Sequence, residues 1–165
     1  MRITETVDYR ATPDVVFDMF TDVAFQERKC LDAGALRHDA AVTRVADGAR
    51  IVTRRDLPTD SLPDFAKSLV GTSLSVTETY EWGAAAPDGS RSGELTVEVG
   101  GAPLALRAKV GLTPNATGTS LRIDGDLKAS IPFLGARVEK SAATAVVDGI
   151  RGEGRTGSRW LAERA

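Results

Sequence analysis

The spacing of apolar residues along the chain changes for good at Pro132, and this change limits the folds that the chain can adopt. Before Pro132, apolar and polar residues alternate in one segment after another, which is typical of half-buried β-strands. After it, apolar residues recur three, four or seven positions apart, which is typical of one amphipathic helix. We therefore expect a sheet followed by a long C-terminal helix, over roughly residues 132–162.

Residues that form tight turns separate the alternating segments. Asp47-Gly48, Asp88-Gly89 and Gly100-Gly101 are dipeptides that favour hairpins, so consecutive strands should pair antiparallel. Seven strands are predicted, at residues 2–10, 36–46, 50–57, 73–82, 93–99, 103–113 and 120–131.

Two regions between the strands have helical spacing instead. After the first strand, Pro13 begins one short helix, and a second short helix covers about residues 22–31. Between the third and fourth strands, Phe65 and Leu69 lie four apart after two prolines, which indicates one or two turns of amphipathic helix. The fold class expected from these patterns is α+β with an antiparallel sheet.

The composition excludes several classes of function. A chain of 165 residues, 42% of them hydrophobic, is expected to form a single domain over residues 1–165 without a disulfide or metal. The net charge of −2 argues against nucleic acid as a partner. Cys30 and His38 are the only residues of their kinds, so we expect no metal and no cofactor. Neither a secretory pattern nor a long apolar run is present, so we expect a cytoplasmic protein without stable membrane insertion.

Three segments resemble a known family: residues 65–71 (FAKSLVG), 78–82 (ETYEW) and 131–140 (IPFLGARVEK). Together with the order of the elements, they resemble the START-like superfamily, also called SRPBCC, helix-grip or polyketide-cyclase-like, and within it the bacterial DUF2505 family. The resemblance implies a helix-grip fold, in which a seven-stranded antiparallel sheet curls around the C-terminal helix. It also implies an apolar cavity between them for a lipid, a sterol or a polyketide-like molecule, but no particular reaction.

Small residues in the middle of the C-terminal helix favour such a cavity. Ala142, Ala145 and Gly149 lie in its apolar stripe, and small side chains opposite a concave sheet leave space. The alternative is that large side chains of the sheet fill this space, because protein interiors pack densely. The residues expected to border the cavity are Phe65, Leu69, Tyr80, Trp82, Val97, Leu106, Ile123, Val138, Ala142, Ala145 and Gly149.

Four ionisable residues share a strand phase with apolar neighbours and are the candidate polar groups of the cavity. Glu78 interrupts the apolar positions of its strand, and Glu5, His38 and Arg55 do so in theirs. Buried charges are costly unless they are paired, so such groups cluster or line a wet cavity. We predict Glu78 as the polar anchor of the ligand, with His38 as the next contributor. The alternatives are that strand ends place these groups in solvent, or that Arg55 and Glu78 form a purely structural pair.

The function expected from this fold is the binding or carrying of a hydrophobic or amphipathic small molecule, with no catalytic residue assigned. One alternative is a cyclase, an aromatase or a hydrolytic enzyme that uses the same cavity, with a histidine or a carboxyl as acid or base. Another alternative is a protein-interaction module with a collapsed cavity, for example a homodimer. A carrier needs one polar anchor in an apolar space, whereas an enzyme needs a titratable group with a perturbed pKa.

Residues 152–157 match the pattern GxGxxG, but dinucleotide binding requires a preceding strand that is not predicted here. Within a helix, each glycine costs about 1 kcal/mol relative to alanine, so the last third of the helix is expected to be weak or kinked. Arg151, Arg155 and Arg159 are spaced four apart and are interpreted as a solvated helix face.

Overall fold

The computed structural model describes residues 1–165, and every predicted strand is present with boundaries that differ by at most two residues. None of the four helices is both long enough and apolar enough to span a membrane. The elements are, in chain order, β1 (Arg2–Tyr9), α1 (Pro13–Phe20), α2 (Val23–Asp32), β2 (Arg37–Val45), β3 (Gly48–Pro58), α3 (Asp64–Val70), β4 (Ser73–Trp82), β5 (Arg91–Val99), β6 (Leu104–Asn115), β7 (Gly118–Ala129) and α4 (Gly135–Arg164).

All seven strands form one antiparallel sheet in the order β1-β7-β6-β5-β4-β3-β2. From β2 to β7 each strand pairs with the next one in the chain, whereas β1 pairs with β7. β1 and β2 are therefore opposite edges of the sheet, and α1 and α2 carry the chain from one edge to the other. α4 packs on β1 and β7, and α2 packs on both α4 and β2. This arrangement confirms the expected α+β helix-grip fold.

An aromatic cluster fills one end of the layer between the sheet and the helices. Phe20 lies at its centre, and the centroid of its ring is 5.9 Å from the ring centroids of Phe25 and of Tyr80. Tyr9 and Trp82 complete the cluster, each with its ring centroid 6.2 Å from that of Phe20. Such rings bury large apolar areas and pack in edge-to-face and tilted pairs, so this end of the layer is an aromatic core.

The two halves of α4 pack differently on this layer. Val138 is the only buried residue in the N-terminal half, where Ala142, Ala143, Val146 and Val147 are partly buried against the core. The C-terminal half contacts the aromatic cluster, where the ring centroids of Trp160 and Phe25 are 5.5 Å apart. The buried residues of the C-terminal half are Glu153, Gly154, Thr156, Gly157 and Trp160.

Two glycines allow the C-terminal half of α4 to approach β1 closely. A Cβ atom added to Gly154 would lie 2.6 Å from Cγ1 of Val7, and one added to Gly157 would lie 2.7 Å from Cε1 of Tyr9. The glycine-rich segment does not interrupt the helix, which runs without a break from Gly135 to Arg164. Close packing on β1 thus offsets the low helix propensity that led us to expect a weak or kinked segment.

These contacts predict opposite effects for two glycine-to-alanine substitutions in α4. Gly157→Ala should lower the free energy of unfolding by about 1–3 kcal/mol, because the new methyl group clashes with a rigid ring. Gly149→Ala is the matched control, since a Cβ there would meet no atom within 4 Å, and it should raise stability by up to about 1 kcal/mol. Urea denaturation measures both, and equal effects would contradict the packing described for α4.

Candidate functional site

A cavity of about 650 Å³ lies between the sheet and the N-terminal half of α4. Its volume is in the range of about 300–1,000 Å³ that is usual for small-molecule sites. Of the 35 residues that line it, 22 are hydrophobic, so its wall is mainly apolar. The predicted residues that do line it are Arg55, Phe65, Leu69, Glu78, Tyr80, Val97, Leu106, Val138, Ala142, Ala145 and Gly149.

The small side chains of α4 keep this space open. Ala142, Ala145 and Gly149 all line the cavity, and a Cβ added to Gly149 would meet no atom within 4 Å. The large side chains of the sheet therefore do not fill the space opposite the helix, which was the alternative to a cavity. The role of these residues in binding a ligand stays a prediction.

The helix α3 forms one wall of the cavity near its opening. Phe65 and Leu69 line the cavity, yet no residue of α3 is buried. The guanidinium carbon of Arg137 lies 4.1 Å from the ring centroid of Phe65, a cation–π contact that joins α3 to the first turn of α4. The short amphipathic helix that the sequence predicts thus forms part of the cavity wall.

A group of buried charged side chains occupies the polar end of the cavity. The Lys29 ammonium group forms a short ion pair with Oε1 of Glu78, and its Nζ atom lies 3.1 Å from Oε2 of Glu153. Nη2 of Arg55 lies 3.5 Å from Oε2 of Glu78. The Tyr80 hydroxyl donates a hydrogen bond of 3.4 Å to Oε1 of Glu153. We call Lys29, Arg55, Glu78 and Glu153 the ionic cluster.

The two carboxyls of the ionic cluster have opposite pKa shifts. Burial raises the pKa of Glu78, but the positive charges of Lys29 and Arg55 outweigh burial, so this pKa lies below its usual value. Burial also raises the pKa of Glu153, and here the raised value persists because the negative charge of Glu78 adds to burial and opposes the effect of Lys29. Within one cluster, the pKa of Glu78 is thus lowered and the pKa of Glu153 is raised.

The cations of the ionic cluster remain charged despite their burial. Burial lowers the pKa of Lys29, but the negative charges of Glu153 and Glu78 leave it above its usual value. Burial also raises the pKa of Tyr80 well above its usual value, and the neighbouring charge of Glu153 adds to this rise. The phenol is therefore a neutral hydrogen-bond donor to Glu153.

The sequence analysis found Glu78 and Arg55 but missed Lys29 and Glu153. Lys29 lies four residues after Phe25 on the buried face of α2, and Glu153 lies four residues before Gly157 on the buried face of α4. The signal that could have found them is the same one that identified Glu78, namely a charged residue in an apolar phase. For Lys29 and Glu153, however, the apolar phase must be read with the period of a helix instead of the period of a strand.

Two of the predicted polar residues do not line the cavity, which corrects the prediction for them. His38 faces the same side of the sheet as Arg55, its partner across the β2–β3 pair, but it is exposed because β2 is the edge strand. Glu5 points to the helix side of β1, where its Oε2 atom lies 3.2 Å from Nε of Arg151. Neither group reaches the ionic cluster.

Two predicted apolar residues also lie outside the cavity wall. Trp82 is buried in the aromatic cluster, where its ring stacks on that of Tyr80 with centroids 5.9 Å apart. Ile123 is buried in β7 opposite Glu5, under the packed half of α4 rather than under its open half. Strand phase places both side chains on the inner face, but it does not show which part of that face is filled.

Comparisons with known sequences give a family but no curated relative. The family described as "Protein of unknown function (DUF2505)" matches residues 4–161. No curated protein matches the sequence.

Solved structures share the fold over the whole chain. TTHA0849 from Thermus thermophilus is 15% identical, with a TM-score of 0.61 over 100% of this chain and 99% of that one. A STAR-related lipid transfer protein from Xanthomonas axonopodis is 14% identical, with a TM-score of 0.61 over 97% of this chain and 85% of that one. A START superfamily protein from Mycobacterium smegmatis is 13% identical, with a TM-score of 0.57 over 97% and 98% of the two chains. The fold is therefore START-like, as the resemblance implied.

The pairing of Glu78 predicts the effect of removing its charge. Glu78→Leu should lower the free energy of unfolding by about 3–5 kcal/mol, because Lys29 and Arg55 lose a buried partner. Glu81→Leu is the matched control on the other face of β4, where an exposed pair with Arg50 contributes little. Urea denaturation followed by circular dichroism measures both variants. A Glu78→Leu protein more stable than the wild type would mean that this carboxylate is not held by its cations.

The opposite pKa shifts predict opposite pH dependences for two amide variants. In the folded state the pKa of Glu153 is raised above its ordinary value of 4.5. As pH rises above 4.5, the unfolded chain therefore releases the Glu153 proton before the folded chain does, and the free energy of unfolding falls. Glu153→Gln should therefore gain stability relative to the wild type as pH rises from below 4.5 to neutrality. Glu78→Gln should lose stability relative to the wild type over the same rise, because the pKa of Glu78 is lowered. Denaturation at a series of pH values tests this, and parallel profiles would contradict it.

Proposed function

The chain belongs to the DUF2505 family, and we propose that it binds and carries a hydrophobic or amphipathic small molecule, such as a lipid, a sterol or a polyketide-like compound. The observation that supports this proposal most is the cavity of about 650 Å³ with a mainly apolar wall. The ionic cluster at one end of that wall supplies polar groups that can orient a bound molecule.

The cost of an empty cavity also supports an occupant. Protein interiors pack densely, and a void forfeits contacts that larger side chains would provide. Alanine at positions 142 and 145 and glycine at position 149 provide few such contacts, although the same helix carries bulky residues elsewhere. A bound apolar molecule would restore these contacts, because its surface would leave water and meet the apolar wall.

A second candidate is an enzyme of the cyclase or hydrolase type that uses the same cavity. Glu153 favours it, because this carboxyl lines the cavity and its pKa is raised by burial. Incubation with p-nitrophenyl esters of medium-chain acids tests the hydrolytic form of this candidate. Hydrolysis that is faster than in buffer and is lost in Glu153→Gln would support it, and hydrolysis at the buffer rate would exclude it.

A fluorescent probe tests the binding proposal directly. The neutral dye N-phenyl-1-naphthylamine should become brighter on addition of the protein, because it leaves water for an apolar site. Ala145→Trp should abolish this binding, since an indole at position 145 would occupy the cavity.

Thr144→Trp is the matched control, because Thr144 is exposed on the same helix turn and does not line the cavity. Thermal melts of both variants should show an intact fold. Equal dye affinity in the wild type and Ala145→Trp would place the dye elsewhere and overturn the proposal.

A further inference from the structure

Arg55 is the one residue of the cavity wall that has buried polar atoms without a hydrogen-bond partner. Its Nε and Nη1 atoms are buried and unpartnered. The adjacent thiol of Cys30 is only a weak acceptor for them. Since Nε carries one N–H and Nη1 carries two, three of the five donors of the guanidinium group have no acceptor.

Lys29, the other cation of the ionic cluster, already has carboxylate partners. The Lys29 ammonium group is held between Glu78 and Glu153. The contact between Nη2 of Arg55 and Glu78 is 3.5 Å long, whereas charge-assisted hydrogen bonds measure about 2.7–2.9 Å. The donors on Nε and Nη1 of Arg55 are therefore unused, and a rotation of its guanidinium group would turn them toward the cavity.

The position of Arg55 places those donors at the boundary between the polar and apolar walls. Val76 pairs with Arg55 across β3 and β4, and Leu57 follows two residues later on the same face of β3. Both apolar side chains also line the cavity. A molecule bound to Arg55 by its head group would thus have its hydrocarbon part against these two side chains.

The ion pairs of the ionic cluster leave Arg55 as the cation that favours an anionic head group. Lys29 contacts both Glu78 and Glu153, whereas Arg55 contacts only Glu78 and shares it with Lys29. An added anion next to Arg55 would pair with a buried positive charge whose only ion-pair partner, Glu78, is 3.5 Å away and shared with Lys29. Guanidinium groups bind carboxylates with two parallel hydrogen bonds, a geometry that an alcohol cannot match.

We infer that the ligand is an amphipathic monocarboxylate whose carboxylate accepts hydrogen bonds from Arg55 and whose hydrocarbon chain fills the apolar part of the cavity. This inference rests on the proposed function, because it names the class of molecule that the same cavity takes. Arg55 is then the residue that makes the cavity prefer a carboxylate over a neutral molecule of the same length.

Competition with the neutral dye N-phenyl-1-naphthylamine at neutral pH tests the inference. The concentration of dodecanoate that displaces the dye from the wild-type protein should be lower than that of dodecan-1-ol by a factor of about ten or more. Arg55→Met should lose this preference while still binding the dye. Arg54→Met is the matched control, since Arg54 is the exposed neighbour on the other face of β3, and it should keep the preference.

The outcomes separate the inference from the proposed function. If the dye binds to the wild type but dodecanoate and dodecan-1-ol displace it equally well, the inference is overturned and the binding function stands. No dye binding by the wild type would overturn both. If Arg55→Met fails to fold in a thermal melt, Arg55→Lys decides, because it keeps the charge without the two-pronged geometry and should reduce the preference. An unchanged preference in a folded Arg55 variant would also overturn the inference.

Discussion

The ion pairs that Lys29 makes with Glu78 and Glu153 are the constraint on which the arrangement of this molecule depends. They join α2, the interior strand β4 and the C-terminal half of α4 at one point. A buried charge that loses its partner is strongly destabilising, so these three elements must keep their relative positions. The aromatic cluster around Phe20 packs beside this point and makes the same end of the layer dense.

With one half of α4 held in this way, the other half is free to cover an open space. The glycines at 154 and 157 bring the helix down onto β1, whereas small residues at 142, 145 and 149 keep it from filling the layer further along. The same ionic cluster that holds the packed half also forms the polar end of the cavity. Stability and the candidate site therefore share residues, and a substitution at Glu78 is expected to affect both.

The fold could be predicted from the sequence because its signals are local. Alternation and turn dipeptides marked every strand, and β4 has the predicted bounds. The site could be predicted only in part. Strand phase identified Glu78 and Arg55, but the pairing of Glu78 with Lys29, 49 positions away, is a tertiary contact that no local pattern encodes. His38 had the correct phase, but its position in β2 is exposed, which strand phase alone does not reveal.

Native mass spectrometry of the protein purified from the organism that encodes it tests most directly whether the cavity is a binding site. We expect the wild-type spectrum to contain a non-covalent complex with a small amphipathic molecule that is released on collisional activation. The same preparation of Ala145→Trp should contain the free chain alone, because the cavity is blocked. A small molecule bound equally to both proteins, or to neither, would contradict the role assigned to the space beneath α4.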